Sequence, residues 1–217
     1  MSTETIRAEG EDLLGENAKE IGAQPENVLY FGLVAPNHAW AKTKANMLKE
    51  EYPEVASYML DEIGEMQSDL IFEKETGKNK VDTSTWLSTG WYTFLLALDM
   101  CEEISLYGFV SENYCRENPD SKIRYHYFQS WDIPTECEYY KSHEDTTFIG
   151  GHRFITEKAI FARWASMYNV TFHYPEWTPG SDLSRPIDTP FVTRKENKGA
   201  LTRLFERFVR WGFGTMM

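Results

Sequence analysis

The sequence predicts an α/β domain. Its centre carries the first observation: Ser88-Thr89-Gly90 opens the run WYTFLLALDMCEE, apolar on nearly every side and therefore read as a buried helix. A tight turn then leads to ISLYGFV, Ile104 to Val110, a short strand. Helix, tight turn and strand in this order is an α/β signature. The second observation is Gly150-Gly151 ahead of HRFITEKAIFARWASMY, a helix with Ile155, Ala159, Ile160, Phe161 and Trp164 toward the core, followed by a strand from Val170 to Tyr174.

The other elements follow in chain order. Residues 1–27 are polar and acidic, and read as a poorly ordered segment or a surface helix. Val28 to Val34, VLYFGLV, is a short apolar run that fits a buried strand, and Pro36 and Asn37 break it. A helical pattern runs from Ala39 to Leu48. Another follows Pro53, with Val55, Met59, Leu60 and Ile63 at helical spacing, and ends near Gly64. Glu73 to Thr83 is a charged loop containing Gly77. A loop with Asn118-Pro119-Asp120 precedes the aromatic run Tyr125 to Trp131, which reads as a strand. Pro175, Pro179 and Gly180 end the regular domain, so it spans 28–176; 177–200 read as a linker and 201–213 as a separate helix. In that helix Leu201, Leu204, Phe205, Phe208 and Val209 share one face, and Arg203, Arg207 and Arg210 occupy others. The pattern suits a helix docked on a core as well as one lying on an anionic membrane.

Composition narrows the class. Of 217 residues 41% are hydrophobic and 26% charged, a globular balance; aromatics reach 15%, which serves core packing and the stacking of sugars or bases alike. The net charge of −12 argues against a general nucleic-acid binder, whose affinity rests on neutralising phosphates. The charge is uneven: Arg194 to Arg210 is +4, which leaves −16 elsewhere. No stretch approaches the ~20 apolar residues that span a bilayer. Residues 1–30 hold seven acidic residues against Arg7 and Lys19, the opposite of a signal peptide's basic start. A soluble chain that does not address itself to an organelle is expected. Cys101, Cys115 and Cys137 form no CxxC pair, and an odd count leaves one thiol free or paired outside the chain. Asn169-Val170-Thr171 is an N-glycosylation sequon.

Three groups of residues carry chemistry. Ser88-Thr89-Gly90 stands at a helix start, where unpaired N–H groups and the helix dipole favour an anion; an ordinary N-cap uses the same residues. His152 follows two glycines, and Thr156 is placed to cap the helix, with Glu157 in its first turn. A histidine held near a carboxylate works as a general base near neutral pH, although a loop histidine beside a dipole-complementing glutamate has the same pattern. His126 lies in Tyr125-His126-Tyr127-Phe128, where a half-buried strand histidine is the plainer reading. His38 and His143 have no partner at telling spacing, and His173 reads as structural. No His, Asp and Glu cluster has metal-ligand spacing, so no metal site is predicted.

Together these residues resemble a known family. Ser88 to Phe109, STGWYTFLLALDMCEEISLYGF, is similar to the small sialyl motif of animal sialyltransferases, glycosyltransferase family 29. HYFQ, His126 to Gln129, resembles the family's short third motif, with Gln129 where a carboxylate is common. Gly151 to Glu157, GHRFITE, matches the very small motif, His and Glu separated by four residues. The three stand in family order, and STGW with GGHRFITEKAIFARWA is closest to the GalNAc α2,6-sialyltransferase branch. The resemblance spans about Trp86 to Trp177.

The resemblance implies a GT-A-like variant of the α/β fold, with a Rossmann-type sheet flanked by helices. It implies transfer of sialic acid from CMP-sialic acid to the 6-hydroxyl of GalNAc on glycoprotein or glycolipid glycans, with inversion. His152 is then the base, His126 the group that stabilises the leaving phosphate, and Glu157 a support; Ser88, Thr89, Gly90, Tyr127 and Gly151 bind substrate. No cofactor or metal is implied, nor nucleic acid as a partner, and the setting is the Golgi lumen or membrane. In the family the cysteine at position 101 pairs with one of the large sialyl motif. Neither that motif nor the family's membrane anchor has a counterpart here, so Cys101 is expected to be unpaired and Cys115 to bond Cys137. Residues 28–176 are then a partial catalytic domain, expected to be a fragment, an alternative product or part of an incompletely read gene. The alternative is a catalytically inactive fragment that binds a glycan or a partner.

Overall fold

The computed structural model describes residues 26–32, 39–125, 134–145, 151–180 and 186–194. Strand β1 (Asn27–Tyr30) leads to helix α1 (Ala39–Glu51) and back to β2 (Ala56–Met59), which pairs with β1 in parallel, Asn27 opposite Ala56 and Tyr30 opposite Met59. On α1, Ala41, Ala45 and Leu48 fall on one helical face and pack on Val28, Tyr30 and Val55. Helix α2 (Glu62–Thr76) starts at Asp61, whose carboxylate accepts the Gly64 N–H at 2.8 Å. It stops at Gly77, which takes φ +68° and closes the last turn through its N–H to the Glu73 carbonyl.

The pattern predicted a helix after Pro53 ending near Gly64, and the structure overturns it. Residues 56–59 extend to pair with β1, and Gly64 lies inside the first turn of α2 rather than after the end of a helix. Backbone pairing with a distant strand outweighed a local helical spacing.

Helix α3 (Thr89–Met100), strand β3 (Ile104–Tyr107), the short α4 (Tyr114–Glu117), α5 (Glu136–Asp145), α6 (Phe154–Ala165) and β4 (Val170–His173) complete the centre. β3 and β4 pair in parallel with Ile104 opposite Val170 and Tyr107 opposite His173. Helices and short parallel strands make this a mixed α/β chain, as the sequence predicts. The expected burial of α3 holds for Trp91, Tyr92 and Phe94, while Leu96 and Met100 on its opposite side are exposed. Of the aromatic run at Tyr125 to Trp131, all but Tyr125 lies outside the described residues, as do nearly all of the acidic segment 1–27 and the whole helix expected at 201–213.

The core is aromatic. Trp91 is fully buried, edge-on to Phe72 at 5.5 Å and against Trp164 at 5.2 Å and Phe161 at 6.1 Å between ring centroids. Truncating such a residue costs about 3–5 kcal/mol. Glu75 of α2 accepts Arg163 at 2.8 Å and the Trp164 indole N–H at 3.1 Å, tying α2 to α6. Part of the stretch read as a linker also enters the core. Pro190–Thr193 forms a helical turn, α7, capped by Thr189, and Ile187 and Phe191 join the buried cluster around Trp91.

Candidate active site

The site forms where residues 83–90 meet residues 151–158. Backbone pairing comes first: Thr85 and Gly151 form a parallel bridge, the Trp86 N–H reaching the Gly151 carbonyl at 3.2 Å. Side chains extend the seam. His152 Nδ1 lies 2.8 Å from the Trp86 carbonyl oxygen. A carbonyl only accepts, so Nδ1 carries the proton and the basic lone pair resides on Nε2.

Ser88 caps α3: its Oγ accepts the Trp91 N–H at 3.1 Å. The same hydroxyl donates to Glu157 Oε2, and the Ser88 N–H donates to Glu157 Oε1 at 3.0 Å. One glutamate thus takes both donors of the residue at the helix start. Glu157 is 2% exposed, and burial pushes its carboxyl up to about 7, against the pull of the two Ser88 donors and with Glu144 adding to the rise. At Gly90 a Cβ would sit 3.4 Å from Ser88 Oγ and 3.8 Å from the Phe109 ring, so the missing side chain leaves the start of α3 uncrowded. Thr89 is exposed.

Three buried charged residues beside this seam escaped the reading of the sequence. The Arg153 guanidinium is fully enclosed. Its Nε donates to Thr85 Oγ1 at 3.1 Å, one terminal nitrogen to the Thr83 carbonyl at 3.1 Å and the other to the His143 carbonyl, and its carbon lies 4.8 Å from the Phe191 ring centroid. Burial lowers its pKa, with Glu144 opposing. Glu144 of α5 accepts from the Ile155 N–H at 3.2 Å and from the Thr156 hydroxyl, so a carboxylate from another element covers the start of α6. Its pKa is raised by burial, against the Thr156 bonds. Lys158 is also buried, its ammonium 4.7 Å from the Tyr140 ring centroid and 5.1 Å from that of Phe109. Burial lowers it to about 8, with Glu136 and Glu157 opposing.

Glu157 does stand in the first turn of α6, but Thr156 is not its cap. The helix begins at Phe154, and the buried Thr156 hydroxyl faces Glu144 and Thr189 Oγ1, the latter at 2.6 Å. His143, which lacked a partner by spacing, lies parallel to His152 with ring centroids 6.1 Å apart. His173 ends β4 and stacks on Tyr107. His126, Tyr127 and His38 lie outside the described residues. Cys115 and Cys137 are joined in a disulfide with Cα atoms 5.3 Å apart, and Cys101 is free and exposed. Among the described residues no group of three or more His, Cys, Asp or Glu is placed to hold a metal, and no helix is long and apolar enough to cross a membrane.

The family model described as glycosyltransferase family 29 (sialyltransferase) matches residues 34–163, which include the whole of the Ser88–Glu157 seam. The chain is similar to the mouse (Mus musculus) alpha-N-acetylgalactosaminide alpha-2,6-sialyltransferase 3, with 43% identity over 61% of this chain and 44% of the relative. It is 45% identical to the human (Homo sapiens) alpha-N-acetyl-neuraminyl-2,3-beta-galactosyl-1,3-N-acetyl-galactosaminide alpha-2,6-sialyltransferase over 60% of this chain and 42% of that one. To the bovine (Bos taurus) alpha-N-acetylgalactosaminide alpha-2,6-sialyltransferase 6 it is 38% identical over 73% of this chain and 49% of the relative. The chain thus spans less than half the length of these curated relatives. No solved structure matches at significance. With a family model covering more than half of its residues, and both ends of its buried seam inside the match, the chain belongs to glycosyltransferase family 29, the sialyltransferases.

Proposed function

We propose that the chain transfers sialic acid from CMP-sialic acid to the 6-hydroxyl of GalNAc on glycoprotein or glycolipid glycans, with inversion. The observation that carries this reading is the seam itself. It sets a histidine with its Nδ1 proton held by the Trp86 carbonyl beside a helix start braced by Glu157. Carbon 2 of the donor becomes oxocarbenium-like as CMP leaves, and the acceptor hydroxyl must give up a proton. His152 Nε2 takes it, because the Nδ1 bond fixes the tautomer that exposes a base there. The start of α3 contributes the N–H groups of Thr89 and Gly90, which have no acceptor within their own helix, to the charge growing on the departing phosphate. His126 is assigned to the same leaving group by motif, with Tyr127 and Gly151 at the substrate.

Glu157 is a positioning residue: it holds Ser88 and so the helix start, and does not itself face the substrate in this reading. The proposal extends to a GT-A-like arrangement around a Rossmann-type sheet, of which the two parallel strand pairs are parts, and to a Golgi setting. There the exposed Asn169 would carry a glycan, and residues 28–176 together with the buried turn at Pro190–Thr193 would supply the catalytic body. Incubation with radiolabelled CMP-sialic acid and a GalNAc glycopeptide tests it. Label should enter the glycopeptide in an α2,6 linkage, and a folded chain that binds CMP yet transfers no label would refute the activity.

A further inference from the structure

A second cluster of side chains lies outside the seam, at the carboxyl ends of β3 and β4. Tyr107 and His173, the last residues of the two strands, stand in register. Their rings stack at 4.7 Å and 17°, and the Tyr174 ring lies 6.3 Å from Tyr107 at 23°. Tyr107 is 62% exposed and Tyr174 83%. Neither aromatic ring is needed to fill the core, and Tyr174 is held at φ +54°, a left-handed conformation uncommon for a residue with a side chain. Backbone strain that keeps a large ring in water is a mark of a functional surface.

The cluster is firmly seated. Gly108 turns at φ +75° and gives its N–H to the His173 carbonyl at 3.0 Å. Trp177 stacks on Phe172 at 4.0 Å and donates its indole N–H to the Phe109 carbonyl at 2.7 Å. The Phe109 ring in turn lies where a Cβ at Gly90, at the start of α3, would meet it at 3.8 Å. The carboxyl ends of parallel strands are also where α/β sheets place ligands.

We propose that Tyr107, His173 and Tyr174 form a stacking shelf for a neutral hexopyranose of the acceptor glycan. This rests on the glycosyl-transfer reading of the neighbouring site. The flat rings suit the C–H-rich face of a pyranose, and two phenol hydroxyls and an imidazole suit its hydroxyl groups. The donor is a poorer fit, because it carries a phosphate and a carboxylate. The three rings bring no lysine or arginine, and exposed Glu176 follows two positions after Tyr174.

The test is saturation-transfer NMR on the chain with galactosyl-β1,3-N-acetylgalactosamine, with CMP titrated in parallel. Tyr107→Ala/Tyr174→Ala should weaken sugar binding about fivefold or more, the scale of losing stacked rings, with CMP affinity unchanged. Tyr174→Asn, which tolerates the left-handed backbone, should weaken the sugar in the same direction and guards against a folding defect. Shelf-dependent sugar binding without any CMP binding would uphold the shelf while defeating the donor-site reading. Sugar binding that is absent from the parent chain, or unchanged in folded variants, overturns the shelf. So does a loss that falls on CMP.

Discussion

Glu157 and Ser88, 69 positions apart, share two hydrogen bonds that join the small sialyl motif to the very small one. The Ser88 hydroxyl therefore works in both directions: it accepts from Trp91 to cap its helix and donates to Glu157. Capping α3 and binding the buried Glu157 carboxyl are thus one arrangement.

Replacing Ser88 with Ala should remove both functions. A lost cap costs about 1 kcal/mol and a lost bond to a buried carboxyl about 1–3 kcal/mol. The melting temperature should fall by about 5–15 °C. Ser88→Thr should restore most of it, and calorimetry showing Ser88→Ala melting with the parent would contradict the shared role.

His152→Ala should lower turnover by about two to four orders of magnitude, the usual span for a general base, with CMP affinity little changed. Measured turnover at a third of the parent rate would remove His152 from that role.

Arg153 tests how the seam is held. Its planar fork serves Thr85, Thr83 and His143 in different directions, which a single lysine ammonium does not reproduce. Arg153→Lys should cost about 3 kcal/mol through buried acceptors left unpaired. Turnover should fall in the folded variant as well, because Gly151 and His152 precede it directly. Full stability in thermal melts would show that the guanidinium is dispensable.

The pH dependence follows from Glu157. Its carboxyl is raised from 4.5 to about 7, so between those values the folded chain binds more protons than the unfolded one. Stability is present below about pH 4.5 and is lost as pH rises to about 7. Glu157→Gln should flatten this slope in melts run from pH 5 to pH 7.5, leaving a residue of the same sign from Glu144, which is also raised. An unchanged slope would mean that the carboxyl titrates normally.

Much of this was legible in the sequence where a single helix or strand decides. The apolar run after Gly90 and the apolar stretch from Ile104 needed no distant partner; of the motif residues, Ser88 meets Glu157, while His152 meets the Trp86 carbonyl. What escaped depends on contacts between distant segments. Residues 56–59 have helical spacing yet extend because β1 is there to pair with. Helix α5, with its run of charged and tyrosine residues, offered no apolar stripe, and its value lies in Glu144 covering another helix. Nothing in the sequence pattern marks Arg153 and Lys158 as buried; the rings of Phe191, Phe109 and Tyr140, and for Arg153 its three acceptors, come from segments apart in the chain.

The Phe191 ring over Arg153 also says where the chain can be cut. An end placed at residue 178, which a linker at 177–200 would tolerate, strips the lid from a buried cation and takes Thr189 from Thr156. A chain ended at residue 178 should therefore melt below the intact chain in calorimetry, and equal melting would show that the turn at Pro190–Thr193 is dispensable to the fold.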